Sequence, residues 1–440
     1  MLNRDRIKMI MALALPIIGG MVSQNVLNLV DTAMVGTLGD AALAAVNLGG
    51  FANWLSMAFI TGLATGVQAM SARRLGEGRT DIVAVPLNGG LLQAIALGIP
   101  TSVIIYTFVP VLFPFLIDDP AVVELGVPYL RIRLLALTFI AMNFAFRGFF
   151  NGVNLSKLYM STLIVMHVTN IVLNYLLIFG NFGFPEMGVS GAAAASAIAA
   201  VAGTLTYFVL GLRYAREGGF LRGLPDMETM MTMLRLAVPS GIQGFFFAAG
   251  MTSFSVIVGM VGTAELAATG VMINLMLVAI LPAMGFGLAA TSLVGQALGR
   301  KNEQDAARWG WDVSKVASVT VACLTVPAAI FPDFFLGAFL YDADTLALAR
   351  FPFRVMACGM WFDAIGMVLL NAHFGAGDAK TVMRVSIVTQ WVFFLPAAYL
   401  IGPVWGGGLT AVWIGQMVYR MVQAAIFMWS WKRGRWAKEV

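Results

Sequence analysis

Charged residues are scarce in this sequence. They occupy 11% of 440 positions, while 60% of the residues are hydrophobic, which excludes an ordinary soluble protein. Histidine and cysteine number two each, and no CxxC, HExxH or Cys/His spacing joins them. These absences argue against a disulfide framework, a metal site and a metal-dependent membrane enzyme. The net charge of +5 does not indicate nucleic-acid binding, because the basic residues lie in short loops.

Long uncharged segments fill the space that charge leaves. Six stretches contain no Asp, Glu, Lys or Arg, namely 82–117, 158–185, 187–212, 236–264, 266–299 and 385–419. Each can hold one membrane span of about 20 residues, and the last can hold most of two. With their neighbours they predict twelve transmembrane helices, at about 9–37, 42–71, 82–112, 122–146, 158–180, 190–212, 231–260, 265–297, 312–331, 344–372, 381–402 and 408–431. Spans this long in lipid are helical, so the predicted fold class is all-α integral membrane.

The charges between the spans predict their orientation. Bases precede the first span and follow every even-numbered one, from Arg4 to Lys438, while acids such as Asp118 and Glu186 mark the opposite ends. The positive-inside rule therefore places both termini in the cytoplasm of a cell whose inner membrane the chain crosses. The first apolar segment lacks a small-residue cleavage pattern and is expected to remain as a span.

The two halves of the chain repeat at an offset of 223 residues. Prolines, glycines and loop bases recur at that spacing, as in Leu13-Ala14-x-Pro16 against Leu236-Ala237-x-Pro239. An even number of spans per half inserts both halves in one orientation, which predicts two six-helix lobes related by a pseudo-two-fold axis along the membrane normal. We expect an N-terminal lobe at 1–213, a cytoplasmic linker at 214–230 and a C-terminal lobe at 231–440.

Asp31 stands out because it is the only charged residue between Lys8 and Asp40. A carboxylate at mid-helix costs roughly 2.5–3.5 kcal/mol on insertion scales and by default marks an ion or substrate path. Gln24 and Asn28 precede it by seven and three residues, so all three share one helix face.

The repeat breaks down at the acids inside the spans. Asp31 corresponds to Phe254 in the other half, and Asp363, the other acid well inside a span, corresponds to Ile140. A scaffold needs no such asymmetry, whereas a transporter with its ion site in one lobe does. The sequence therefore predicts a coupling site built in the N-terminal half.

Three segments together resemble the multidrug and toxic compound extrusion (MATE) family, over essentially the whole chain. They are LALPIIGGMVSQNVLNLVDTAMVGTLGDAALAAV in span 1, the RRLGEG sequence after span 2, and FDAIGMVLLNAHFGAGDAK near span 10. The chain looks closer to the DinF-like branch, because Phe247 stands where NorM-like proteins carry a glutamate eight residues after the proline of span 7. The resemblance implies the MATE fold and ion-coupled export by alternating access.

The resemblance also implies roles for individual residues. Asp31 matches the coupling-ion carboxylate of DinF-like members, and Tyr129 and Ser196 match positions of the same cluster, although a threonine is usual where Ser196 stands. The Asn-x-x-x-Asp pair of that branch appears here as Asn170-x-x-x-Asn174, so the second carboxylate is missing. One carboxylate suffices to bind H⁺ but makes a Na⁺ site harder to build. H⁺ coupling is favoured, with Na⁺ at Asp31 as the alternative.

Four further residues are candidates. Asn28 offers an amide that can hydrogen-bond either form of Asp31. His167 shares a helix face with Asn170 and Asn174, and either relays protons to Asp31 or bonds a backbone carbonyl. Asp363 is a candidate for a C-lobe site, or a structural acid paired with Arg354 or other polar neighbours. Pro16 is expected to be the hinge of span 1, or else a static kink.

Together these features predict a secondary active multidrug efflux antiporter. It would be a monomer that exports amphipathic, cationic xenobiotics in exchange for H⁺, without enzymatic activity, a cofactor or a bound metal other than Na⁺. A lipid-linked saccharide flippase is the alternative, but its pyrophosphate substrate needs a basic cavity, and the cytoplasmic-side bases are expected at loops and span ends with none at mid-span. A passive channel would conduct without coupling to a gradient.

Overall fold

The computed structural model describes residues 3–438, which fold almost entirely as α-helices. The first half of the chain contains α1 (Arg4–Gly36), α2 (Asp40–Ala58), α3 (Gly62–Gly76), α4 (Val85–Leu112), α5 (Pro120–Leu135), α6 (Leu137–Gly152), α7 (Ser156–Phe179) and α8 (Gly188–Tyr214). The second half contains α9 (Met227–Val261), α10 (Thr263–Gly299), α11 (Glu303–Ile330), α12 (Pro332–Leu336), α13 (Ala343–Ala376), α14 (Ala379–Ile387), α15 (Leu395–Tyr399) and α16 (Gly408–Arg433). Two π-helical segments, Val388–Phe394 and Leu400–Val404, join and extend α14 and α15 into one span.

The predicted spans are present as helices. Within the described residues, ten helical segments are long and apolar enough to cross a bilayer, and an eleventh is added when α5 and α6, bent by 48°, count as one span. The last predicted span is α16, a helix of 26 residues. Span 2 is interrupted between α2 and α3. The prediction of an all-α, multi-pass membrane protein is confirmed.

The helices pack into two compact units. The N-unit is Gly19–Gly241, and the C-unit consists of residues up to Ile18 together with those from Ile242 onward. Both boundaries fall inside helices, so α1 and α9 are each divided between the units. The lobes expected at 1–213 and 231–440 follow chain order, whereas the observed units exchange the first halves of these two helices.

Close helix packing explains why the first half of α9 belongs to the N-unit. A Cβ at Gly62 of α3 would overlap the backbone oxygen of Ala237, so the two backbones touch where a side chain would separate them. A hydrogen bond of 3.0 Å between the hydroxyls of Thr65 and Ser240 follows one turn further along α3. Small residues permit this approach in membrane helices.

The segment expected as a linker is ordered by α4. The Asn88 side-chain amide donates to the carbonyls of Gly219 at 2.9 Å and Gly223 at 2.6 Å, and its oxygen accepts from the Leu221 N–H at 3.0 Å. Phe220 is fully buried, with its ring centroid 5.8 Å from that of Phe146. Residues 214–230 thus form part of the N-unit.

The start of α1 is held in the C-unit by charge. The Arg6 guanidinium binds the Asp305 and Asp312 carboxylates, each at 2.7 Å, and lies 3.5 Å from the ring centroid of Trp309. Arg6 is therefore satisfied by α11, which orients the first turns of the chain.

Candidate functional site

A row of hydrogen bonds links α1, α7 and α8 inside the N-unit. The Asn174 side-chain nitrogen donates to Asp31 Oδ1 at 2.6 Å and to Asn170 Oδ1 at 3.1 Å. The Asn170 nitrogen in turn donates to the Ser196 hydroxyl at 3.1 Å. Four predicted site residues, from three helices, thus form one continuous polar row.

Local sequence explains why these helices meet. On α1, a Cβ at Gly20 would lie 2.7 Å from the ring of Tyr159 and 2.8 Å from Leu163, so the glycine allows α7 to approach. On the other side of α7, α8 begins with an alanine-rich sequence that presents little bulk. Asn170 and Asn174 are one turn apart on α7 and therefore point the same way.

Burial makes the amides of this row restrictive. Asn174 is fully buried and Asn170 nearly so, while Asp31 is partly exposed. Both N–H groups of Asn174 are used, whereas its Oδ1 atom is buried without a hydrogen-bond partner in the described part of the chain. The row therefore keeps one free acceptor beside the carboxyl group.

Helix α5 adds an aromatic and a basic residue near the acid. Tyr129 is buried, with its ring packed on Gly49, and it interacts electrostatically with Asp31. The charge of Arg133 acts on both Tyr129 and Asp31. Sequence reasoning missed Arg133 because it treated the residue as a base at the span end. The available signal was its i+4 spacing from Tyr129, which puts both on one helix face.

Two predicted residues are not part of the row. Asn28 is exposed and accepts a hydrogen bond of 3.3 Å from Gln24. His167 Nε2 lies 3.1 Å from the hydroxyl of Ser23, which itself donates to the Gly20 carbonyl at 2.9 Å. Ser23 precedes Asp31 by eight residues, about 12 Å along a helix. His167 thus contacts α1 two turns away from the carboxyl group.

The C-unit acid has a different environment. The Arg420 Nη2 atom of α16 donates to Asp363 Oδ2 of α13 at 2.9 Å. Sequence analysis named Arg354 as a possible partner of Asp363, but the observed ion pair is with Arg420. The expectation that no cytoplasmic-side base lies at mid-span was also wrong for Arg420, which is inside α16. The ion pair occupies this base, so it adds no free positive charge for a pyrophosphate group.

Pro16 lies within α1, which is helical from Arg4 to Gly36. A proline inside a helix removes one backbone hydrogen bond and weakens the helix there. It lies 15 residues before Asp31 on the same element, so a rearrangement at Pro16 moves one side of the carboxylate site.

The chemistry available in the N-unit row is cation binding rather than covalent catalysis. Its groups are one carboxyl, two amides and one hydroxyl. Among residues 3–438, no three His, Cys, Asp or Glu side chains cluster as a metal site would require. A proton needs a single carboxylate, while a bound Na⁺ ion would draw on Asp31, the free Asn174 oxygen and few other protein oxygens.

The MatE family model matches this chain twice, over residues 16–176 and 239–400. The two matches begin 223 residues apart, at the offset of the sequence repeat. A probable multidrug resistance protein NorM from Thermotoga maritima is 27% identical over 445 residues, which cover 98% of this chain and 93% of the relative.

Solved structures of MATE transporters share the fold. An outward-facing multidrug resistance MATE family transporter of the MOP superfamily superimposes with a TM-score of 0.88 at 24% identity, covering 98% of this chain and 97% of that one. A MATE structure in the bent conformation gives 0.89 at 25% identity, covering 100% and 97%. The predicted twelve-helix fold is thereby confirmed, while placement in the DinF-like branch stays a prediction.

Proposed function

This chain belongs to the MatE family of multidrug and toxic compound extrusion proteins, and from that premise we propose that it is a secondary active efflux antiporter. It exports amphipathic, cationic compounds across the cytoplasmic membrane in exchange for protons that bind at Asp31. The name of the Thermotoga maritima relative, a probable multidrug resistance protein, supports the substrate class. The loop charges support cytoplasmic termini.

The contact between Asp31 and Asn174 carries this proposal. As a carboxylate, Asp31 accepts from the Asn174 amide at 2.6 Å. Once protonated, it becomes a donor, and the unpartnered Asn174 Oδ1 atom is an acceptor in the same cluster of described residues. One amide can therefore serve both states of the acid. Because its direct hydrogen-bond partner is neutral, binding a proton changes the net charge of the row.

The same residues favour H⁺ over Na⁺. Hard cations take several oxygen ligands, preferably including more than one carboxylate. The row offers one carboxylate, since the second acidic position of related sites is Asn174 here. Proton binding needs no further ligand.

In the proposed cycle, Asp31 binds a proton from the outside. The neutral carboxyl no longer needs a charged partner, α1 rearranges at Pro16, and the cation-binding surface of the N-unit is lost, which releases the substrate. Release of the proton to the cytoplasm restores the carboxylate and its attraction for the next cationic substrate. Apolar surroundings with few fixed charges suit a broad substrate range, because binding then relies on burial.

Transport in proteoliposomes tests the proposal. Ethidium uptake is followed with a pH gradient or a Na⁺ gradient imposed separately, in wild type and in Asp31→Asn. We expect the pH gradient alone to drive transport in wild type and to have no effect in Asp31→Asn. Asp40→Asn, at an exposed acid outside the row, is the matched control and should retain transport. Unchanged proton-driven transport by Asp31→Asn would refute the proposal.

A further inference from the structure

We propose that Arg420 is a built-in counter-cation for Asp363. The C-unit then takes up no coupling ion, and each transport cycle carries only the cation bound at Asp31. This inference rests on the proposed antiport function, and it concerns the number of coupling ions rather than the existence of coupling.

The first argument is that the guanidinium is held in place from both sides. Its Nη2 atom donates to Asp363 at 2.9 Å and its Nη1 atom donates to Gln423 Oε1 at 3.1 Å. The Gln423 nitrogen donates to the Thr389 hydroxyl at 2.9 Å, and that hydroxyl donates to the Val385 carbonyl at 2.7 Å. The cation is therefore part of an ordered chain that ends on a backbone oxygen.

The second argument is burial. The side chain of Asp363 is 6% exposed and that of Arg420 is 12% exposed. Removing one member of a buried ion pair leaves an uncompensated charge, which is strongly unfavourable. An arginine side chain stays charged at any pH that a cell imposes. The carboxylate of Asp363 therefore has a permanent partner that no proton gradient displaces.

The third argument is the contrast with Asp31. The direct partner of Asp31 is the amide of Asn174, so its charge is balanced only when a mobile cation binds. The repeat places Phe254 and Ile140 opposite the two acids. Each unit thus contains one carboxylate of its own, with an exchangeable cation in the N-unit and a fixed one in the C-unit.

The local backbone supports a specialised role for this cluster. Thr389 lies in the π-helical segment Val388–Phe394, and π-turns within helices are rare and frequently occur at functional sites. The aromatic ring of Tyr419, the neighbour of Arg420, stacks on Phe394 of the same segment with centroids 4.9 Å apart. The π segment and α16 thus fix the position of the guanidinium together.

The number of charges moved per cycle tests the inference. In proteoliposomes, the equilibrium gradient of ethidium, a monovalent cation, is measured under imposed membrane potentials. Exchange of one H⁺ for one ethidium is electroneutral, so the wild-type gradient should not respond to potential. In Arg420→Met, the freed Asp363 needs a mobile cation, and the ethidium gradient should then change about tenfold for each ~59 mV.

Two further variants keep the test decisive. Asp363→Asn combined with Arg420→Met removes both charges and should be electroneutral again, and Arg420→Lys, which preserves the cation, should also be electroneutral. Protein-free liposomes correct for passive ethidium movement. A potential-dependent gradient in wild type, or an electroneutral and active Arg420→Met, would overturn the inference. Proton-driven transport that survives Asp31→Asn would instead refute the proposed function.

Discussion

At the residue scale, Asn174 governs what Asp31 can bind. Its amide donates to the carboxylate and to Asn170, and its oxygen, unpartnered among the described residues, stands beside both. A carboxylate at this position would replace a donor by an acceptor at 2.6 Å from Asp31. Two carboxylates that close cannot both be ionised without a cation between them.

Asn174→Asp is therefore expected to make transport respond to Na⁺. The substitution removes a hydrogen bond to a charged group, worth about 1.5–3 kcal/mol, and creates a pair of oxygen ligands that a metal cation can bridge. The measurement is ethidium transport under a Na⁺ gradient without a pH gradient. Asn28→Asp, at an exposed position outside the row, should show no Na⁺ response, and neither should wild type. If Asn174→Asp also ignores Na⁺, a single missing carboxylate does not explain the preference for protons.

At the scale of the helices, backbone contact between α3 and α9 defines the N-unit. Gly62 faces the Ala237 carbonyl with no room for a methyl group. A Cβ at Gly50 of α2, by contrast, would meet no atom of the described residues within 4 Å beyond its own helix. The two glycines thus differ in surroundings while both lie in helices of one unit.

We expect Gly62→Ala to destabilise the protein by about 1–3 kcal/mol, because the added methyl forces the helices apart. Gly50→Ala should be neutral or stabilising by up to about 1 kcal/mol, since alanine favours the helix. Thermal unfolding in detergent measures both. Equal stability of the two variants would contradict the close contact seen at Gly62.

The two halves supply a matched pair of prolines. Pro16 in α1 and Pro239 in α9 occupy equivalent positions of the repeat, but the residue 15 positions later is Asp31 in one helix and Phe254 in the other. Of these two helices, α1 alone joins its proline to a carboxylate at that spacing.

Pro16→Ala is expected to slow proton-driven transport more than Pro239→Ala does. Alanine restores the missing backbone hydrogen bond and stiffens α1, which opposes the rearrangement that follows proton binding. Initial rates of ethidium transport under a pH gradient provide the comparison, with ethidium binding as a check that the site is intact. An equal effect of both substitutions would indicate that Pro16 has no special part in coupling.

At the scale of the whole molecule, the repeat does not make the halves interchangeable. Phe254, the counterpart of Asp31, is fully buried, with ring centroids 5.6 Å from Phe394 and 5.4 Å from Trp413. These neighbours are aromatic, whereas the direct partner of Asp31 is an amide. The fold thus provides two similar helices whose equivalent positions have apolar surroundings in one and polar surroundings in the other.

Moving the acid to the equivalent position should therefore fail. We expect Asp31→Asn combined with Phe254→Asp to remain inactive in proton-driven transport. It should also be less stable than Asp31→Asn alone by about 3–5 kcal/mol, the usual loss when a buried phenylalanine is truncated. Thermal unfolding and transport assays on both variants provide the test. Recovery of coupled transport would show that the surroundings of Asp31 are dispensable.

Much of this protein is determined by sequence alone. Uncharged runs of span length must become helices, because lipid offers no partners for backbone N–H and C=O groups. The one acid in span 1 and the Asn170–Asn174 spacing on span 5 identify the site, because helical periodicity decides which residues share a face. Family membership followed from motifs of the same kind.

Only the tertiary structure decided which faces meet. It joined Asp31 to Asn174, placed His167 on Ser23, and brought Arg420 to Asp363 from 57 residues away in the chain. It also exchanged the first halves of α1 and α9 between the units. The physical reason is that the rotation and separation of neighbouring helices depend on small-residue contacts between distant segments, which the periodicity of one helix does not contain.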